Sequence, residues 1–350
     1  MLKFHTIPAG MVICPMCAGA LRLQGNSLIC GSRHCFDIAK QGYVNFLLQA
    51  LKEKYDKRLF QSRARISQAG AFHGLTDRLG EIVRQELERQ ERRRNKQGLQ
   101  QQGLQQQGLQ QQGPQQQGPQ QQVLWRQKPE QAKLRLSPEG GKRLFAPAIL
   151  DAGCGEGSHL SALVRQLAET AGGELVNAGT EGRILAAGID ISKAGIQLAA
   201  KTNPEMLWGV ADLAKCPFAD RSFDIILNIL SPANYAEFHR MLADDGLVIK
   251  VIPGQTYLQE IRQALHSETN RRTYSNDRTI GLFRRHFELI DMKQVRYEVL
   301  LEQEYFADLL QMTPLAWQAA EEELRSLQAM DEKPVITFNF MIMLGKKNIR

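Results

Sequence analysis

Ala148-Ile-Leu-Asp151-Ala-Gly153-Cys-Gly155-Glu156-Gly157 is the stretch that decides the fold. Ala148–Ala152 has the composition of a short buried strand. The three glycines make a turn, and Ser158–Ala168 follows with helical spacing. Glycines there let the backbone approach a ligand at the crevice beyond the strand end. The pattern is G-x-G-x-G, not the G-x-G-x-x-G of dinucleotide folds. Outward from this turn, strands at Ile184–Ile191, Leu207–Ala211, Phe223–Ile229 and Leu247–Ile252 alternate with helices at Lys193–Lys201 and Tyr235–Leu242. Such alternation predicts a parallel, doubly wound α/β sheet. Phe287–Leu301 and Val335–Lys346 also read as strands and are expected to pair antiparallel on the sheet edge.

Two acids sit at the ends of the next strands. Gly188-Ile-Asp190-Ile-Ser192 places a carboxylate where ribose hydroxyls would donate to it. Val210-Ala-Asp212 places another where an adenine amino group would. With Pro217-Phe218-Ala-Asp-Arg-Ser-Phe223-Asp224 leading into the fourth strand, the set resembles the Rossmann-like S-adenosyl-L-methionine-dependent methyltransferases. Candidate cofactor contacts are therefore Asp151, Gly153, Gly155, Glu156, Gly157, Asp190 and Asp212.

Upstream, Gln97–Gln122 repeats Gly-Leu-Gln-Gln-Gln and then Gly-Pro-Gln-Gln-Gln, with glycines five apart. It buries too little apolar surface to offset its ordering entropy, so the segment is expected to be a disordered insertion. Gly172–Gly182 reads as a second, smaller loop insertion. Residues 1–96 carry 17 Lys+Arg against 8 Asp+Glu, a balance of +9, and the remainder balances at −2. That asymmetry suggests a polyanion-binding arm on a near-neutral body. Lys57 to Lys96 is expected to be helical. No apolar run reaches the roughly 18 residues of a membrane span, no signal peptide is evident, and six cysteines are too few for a disulfide scaffold. A cytoplasmic protein with no membrane partner is the expectation.

Cys14-Pro-Met-Cys17 and Cys30-Gly-Ser-Arg-His34-Cys35 are two short pairs separated by a gap that fits a β-hairpin. Thiolates and an imidazole at such spacing suit a tetrahedral Zn²⁺ site, structural because no position is left for water. His34 and Cys35 are adjacent, so only one is expected to face the metal.

The whole pattern resembles the bacterial 23S rRNA (guanine-N1-)-methyltransferases, which modify a guanine in a domain II hairpin (guanine 745/748 type). The resemblance rests on the cysteine pairs, Lys40-Gln-Gly42-Tyr43-Val44-Asn45, Tyr55-Asp56-Lys57, Arg63, Ala69-Gly70-Ala71-Phe72 and Leu309-Leu-Gln311-Met312-Thr313-Pro314-Leu-Ala-Trp317. It implies a Rossmann-like class I methyltransferase sheet with a small N-terminal zinc-binding β-rich module. By the same resemblance the zinc ligands are Cys14, Cys17, Cys30 and His34, and Phe72 touches the cofactor. Tyr257 stands where some members have His. Ser231-Pro232-Ala233-Asn234-Tyr235 looks more like the Gram-positive branch. Residues at the end of the fourth strand face the acceptor in such folds, so Asn228, Ser231, Pro232 and Asn234 are candidates for lining the guanine. Trp317 is expected either to stack on a looped-out base or to be a core residue.

The expected division is residues 1–48 as an RNA-recognition module, 49–96 as a helical connector, 97–145 as the Gln-rich insertion and 146–350 as the methyltransferase domain. Lys52, Lys54, Lys57, Arg58, Arg63 and Arg65 would supply cations for the phosphates of a 23S rRNA hairpin. Removing residues 1–45 is then expected to abolish RNA methylation and leave cofactor binding. A second copy of the chain, in a homodimer, is a further expected partner. Two other classes fit parts of the sequence: a methyltransferase for a small molecule or protein, and a non-catalytic RNA-binding ribosome-assembly factor.

Overall fold

The computed structural model of the 350-residue chain describes residues 7–49, 56–110, 147–170, 184–265, 275–317, 319–328 and 333–348. It opens with a small antiparallel ribbon of β1 (Leu21–Gln24), β2 (Ser27–Cys30) and β3 (Cys35–Asp37). β4 (Tyr43–Asn45) follows, then helices α1 (Lys57–Gln68) and α2 (His73–Gln110). The α/β body comprises β5 (Ala148–Ala152), α3 (Ser158–Thr170), β6 (Leu185–Asp190), α4 (Lys193–Thr202), β7 (Leu207–Val210), β8 (Phe223–Ile229), α5 (Tyr235–Met241) and β9 (Leu242–Pro253). It ends with α6 (Gln259–Leu265), α7 (Asp277–His286), β10 (Phe287–Leu300), α8 (Gln303–Met312), a 3₁₀ turn at Pro314–Ala316, α9 (Glu321–Gln328) and β11 (Val335–Lys347).

The main sheet runs β10-β11-β9-β8-β5-β6-β7-β4. β4 through β9 pair parallel; β11 and β10 pair antiparallel at one edge, as the sequence predicts. β5 pairs with both β6 and β8, so the winding direction reverses at its C-terminal end. An open α/β sheet leaves a crevice at that point. The central strands β5, β7 and β8 are buried on both faces, and their alternation separates two apolar layers. Ile149, Ile225 and Leu227 face the α1–α4 side with Phe72, Leu75 and Leu160. Ala148, Leu150 and Ile226 face the other side with Phe238, Phe283 and Phe287.

Three expectations change. Lys57–Lys96 is two helices, not one. Gly70, at φ +87°, stops α1, and the Ala71 N–H reaches back to the Ile66 carbonyl, a Schellman-type end that re-aims the chain. α2 continues to Gln110, through the first part of the Gln-rich tract. Gln and Leu are good helix formers, and an existing helix propagates more easily than it nucleates, so spaced glycines do not stop it. The rest of that tract and the Gly172–Gly182 segment lie outside the described residues.

The third change concerns the N-terminal module, which is built into the sheet. β4 pairs with β7, Val12 bridges to Phe218, and the Phe46 N–H donates to the Val210 carbonyl. Met11, Val12, Phe36, Val44 and Phe46 belong to the same apolar layer as Leu150 and Phe238. Removal of residues 1–45 would therefore strip a strand and part of the core, so it does not separate RNA binding from cofactor binding. Among the described residues no helix is long and apolar enough to cross a membrane.

Phe46 packs on Phe36 (ring centroids 5.6 Å apart) and over Gly209. Phe46→Ala is expected to lower the stability of the whole chain by about 3 kcal/mol, the usual cost of removing a buried aromatic. A urea melt followed by circular dichroism measures it.

Candidate functional site

The metal ligands come from two tight turns. The first lies between Cys14 and Gly19, where the Ala18 N–H bonds the Cys14 carbonyl and Ala18 takes φ +58°. The second lies between Cys30 and His34, where the Arg33 N–H bonds the Cys30 carbonyl and Arg33 takes φ +64°. Each turn aims two side chains inward. Cys14 Sγ and Cys30 Sγ are each 3.4 Å from His34 Nδ1, and Cys17 Sγ is 3.6 Å from Cys30 Sγ. All four ligand atoms lie within 4.8 Å of one another. Tetrahedral Zn–S and Zn–N bonds of about 2.3 and 2.0 Å require separations of roughly 3.5–3.8 Å, so the donor set fits zinc. Hydrogen bonding, led by the Gly19 backbone and then the Ser32 hydroxyl, brings the Cys17 thiol down to about 6, favouring the thiolate a metal needs. Cys35 starts β3 and points away; its sulfur lies 3.8 Å from Asp37 Oδ1. That geometry separates His34 from Cys35, which spacing alone left open.

The second site fills the crevice at the end of β5. Asp151, Gly153 and Asp190 form its floor. Leu59, Phe60 and Arg63 of α1 form one wall, with Phe72 and His159 beside them. Ser231, Pro232, Pro253 and Tyr257 form the opposite wall, and Met312–Pro314 with Trp317 close over it. Gly153 is required twice: its φ is +86°, and a Cβ there would lie 2.0 Å from Ser231 Oγ.

The floor is acidic and buried. Burial pushes the Asp151 carboxyl up to about 8, with the charges of Asp190 and Glu156 adding and that of Arg63 opposing. Burial also raises Glu156 and Asp190. Arg63 Nε is 3.9 Å from Glu156 Oε2, too long for a hydrogen bond. Asp190 accepts from the Gly155 N–H (2.9 Å) and the Ser192 N–H (2.8 Å), which pins the Gly-rich turn to β6. Asp151 Oδ1 and His159 Nδ1 have no hydrogen-bond partner within the described chain. Burial, with Arg63 nearby, lowers His159 to about 3, so its ring is neutral. Bare buried acceptors of this kind call for a ligand donor or cation. S-adenosylmethionine carries a sulfonium and an ammonium group, so the floor fits it. When bound, it supplies a methyl group on positively charged sulfur.

Seven of the residues named as cofactor contacts or guanine-lining candidates share this cavity, Phe72, Asp151, Gly153, Asp190, Ser231, Pro232 and Tyr257, together with Arg63 and Trp317. Gly155, Glu156 and Gly157 lie behind the floor, and Asp212 is exposed beyond β7, its Oδ1 taken by the Ala214 N–H. Two expectations are corrected. Asn228 does not line the cavity; it is fully buried, donating to the Ala152 carbonyl (2.6 Å) and the Pro232 carbonyl (3.0 Å). Asn234 also lies outside, its side chain capping α5 by accepting from the Glu237 N–H.

Two cations move as well. Arg63 faces the acids instead of solvent. Arg65 makes a two-pronged ion pair with buried Asp308, which ties α1 to α8, so both side chains already face carboxylates. His159 was not singled out at all. Its signal was local: it stands two residues past the Gly-rich turn, in the first turn of α3, where a side chain overhangs the strand ends.

This arrangement, a class I methyltransferase crevice on a sheet that also carries a zinc ribbon, defines the class of the protein. Two family models match: RlmA, N-terminal, a zinc ribbon, over residues 12–53, and a methyltransferase domain over residues 149–246. A Bacillus subtilis protein, YxjB, named as a 23S rRNA (guanine-N(1)-)-methyltransferase, is 35% identical over 98% of this chain and 99% of its own. The 23S rRNA (guanine(748)-N(1))-methyltransferase of Streptomyces fradiae is 25% identical over 89% of this chain and 87% of its own. The chain belongs to the 23S rRNA (guanine-N1-)-methyltransferase family, S-adenosylmethionine-dependent enzymes with a structural zinc.

The raised Asp151 carboxyl gives a pH prediction. In the free chain it contributes stability that is complete below its unfolded value near 4 and is lost as pH rises through about 8. A cationic ligand favours the ionised form. Binding of S-adenosylmethionine at pH 7 is therefore expected to release close to one proton, and affinity is expected to rise with pH up to about 8. Calorimetry in two buffers of different ionisation enthalpy counts the protons; none released would contradict the assignment.

Proposed function

We propose that this protein transfers a methyl group to N1 of a guanine in a domain II hairpin of 23S rRNA. The observation that carries the reading is that one cavity runs from the acidic floor to the Ser231–Pro232 wall and the Met312–Trp317 segment. A cofactor and an acceptor base then meet inside a single enclosed space. Asp151 and Asp190, with Phe72 and Tyr257, hold the cofactor end. Ser231 and Pro232 line the acceptor end. Trp317, 44% exposed at the rim, offers an indole face to a looped-out base. Alignment of the acceptor nitrogen and exclusion of water are the main contributions of these walls. The N1 proton must also leave as the methyl group arrives.

Phosphates are met by the ribbon and the start of α1. Arg22, Arg33, Lys40, Lys57 and Arg58 are exposed there, against Asp37 and Asp56. The Arg-rich end of α2 is a poorer candidate. Arg94 pairs with Asp224 and Asp245, near the starts of β8 and β9, at the end of the sheet opposite the cavity. The proposed division of labour keeps residues 1–48 for RNA reading and 146–350 for transfer, but assigns α1 to the cavity wall, not to a connector. A cytoplasmic location and a homodimer belong to the same proposal.

The test is primer extension on 23S rRNA from cells lacking this gene. A methyl group on guanine N1 blocks pairing, so one reverse-transcription stop in domain II is expected to vanish and to return with the wild-type gene. An unchanged stop pattern would overturn the reading.

A further inference from the structure

Lys250 lies in the middle of β9, inside the apolar run Leu247-Val-Ile-Lys250-Val-Ile252, and only 4% of it is exposed. It sits in register with Asn228 on β8 and Met343 on β11. Among the described residues its ammonium group has no carboxylate partner. It donates instead to Asn228 Oδ1 (2.5 Å) and to the Ser231 carbonyl. Asn228 in turn donates to the carbonyls of Ala152 and Pro232.

These bonds join the two walls of the cavity. Ala152 ends β5 and leads into the Gly153 turn on the cofactor side. Ser231 and Pro232 are the acceptor side. Between β8 and this wall, Leu230 takes φ +50°, a left-handed conformation that a leucine holds only when its surroundings impose it. Ser231 Oγ presses against Gly153, so a shift of the loop would be felt at the turn. A methionine would fill the same volume without burying a charge, and a buried ammonium lacking a counter-charge costs stability. Groups of that kind concentrate where function requires them.

We infer that Lys250 is a positioning residue for the methyl acceptor: through Asn228 and the Ser231 carbonyl it fixes the Leu230–Pro232 wall against the Gly153 turn. The inference rests on the proposed function in placing the acceptor at Ser231–Pro232. Burial, which brings the amine down to about 8, agrees with a group held there at a cost.

The test uses the zinc-loaded full chain carrying Lys250→Met or Lys250→Gln, with a 23S rRNA transcript as acceptor. Lys250→Met is expected to lower kcat roughly 100-fold, the scale of a misplaced reactant. S-adenosylhomocysteine affinity should stay within about threefold and Tm within a few degrees of wild type, since the loss of a donor to the Asn228 and Ser231 oxygens is offset by removal of a buried charge. Lys250→Gln keeps a donor and is expected to recover about tenfold of the lost rate. Wild-type kcat in Lys250→Met overturns the inference. So does a loss of kcat matched by losses in Tm and S-adenosylhomocysteine affinity, which marks a merely structural lysine; if Lys250→Met does not fold, Lys250→Gln decides by the same comparison. A wild-type chain that transfers no methyl group to the transcript refutes the functional reading itself.

Discussion

Three carboxyl groups buried together at the ends of β5 and β6 are the constraint on which the rest of the structure depends. Asp151, Glu156 and Asp190 are each raised by burial, and one arginine, Arg63, faces them. An arrangement of this kind is costly unless the site is built to receive positive charge. The remaining architecture serves it. The reversal of strand order at β5 opens the crevice, the Gly153 turn lets a ligand come close, and α1 delivers Arg63 from outside the α/β body. Buried acids repel one another once ionised, so a ligand that carries positive charge relieves a cost the free site bears.

Much of this was legible in the sequence, and for a physical reason. Parallel strands are buried on both faces, so they read as short apolar runs between helices, and the Gly-rich turn marks the first of them. Asp151 and Asp190 stand at the ends of apolar strand runs, where a carboxylate stands out against its neighbours. The Cys14–Cys17 and Cys30–His34 pairs are local turns whose spacing carries their geometry. What stayed hidden depends on long-range contact. Arg63 and Arg65 look alike in a basic helix; only packing against β5 and α8 turns one toward the cavity and the other toward Asp308. Asn228 and Asn234 look like acceptor-lining amides, but backbone groups use them, one inside the sheet and one at a helix start. Lys250 was not singled out in the sequence; a charge interrupting the apolar run Leu247–Ile252 is a local conflict, but its burial and its partners come only from the fold.

The ribbon shows why a domain boundary drawn from composition differs from one drawn from packing. Charge places residues 1–96 apart from the rest, and the zinc cluster has its own turns. Yet β4 is the last strand of the main sheet, and the apolar layer beneath it runs unbroken from Met11 and Phe36 to Phe238 and Phe287. Zinc, ribbon and crevice therefore sit on one rigid frame. A substrate held by the ribbon, as proposed, would reach the cavity with little freedom to move, the kind of entropy loss that speeds a transfer reaction.

The most direct measurement of the central claim is a crystal structure of the zinc-loaded chain with S-adenosylhomocysteine. The account predicts that the ligand's amine lies over the acidic floor. Asp151 Oδ1 and His159 Nδ1, which have no hydrogen-bond partner among the described residues, should both gain one from the ligand or from a water bridging to it. A ligand bound elsewhere, with those two atoms still without partners, would contradict it.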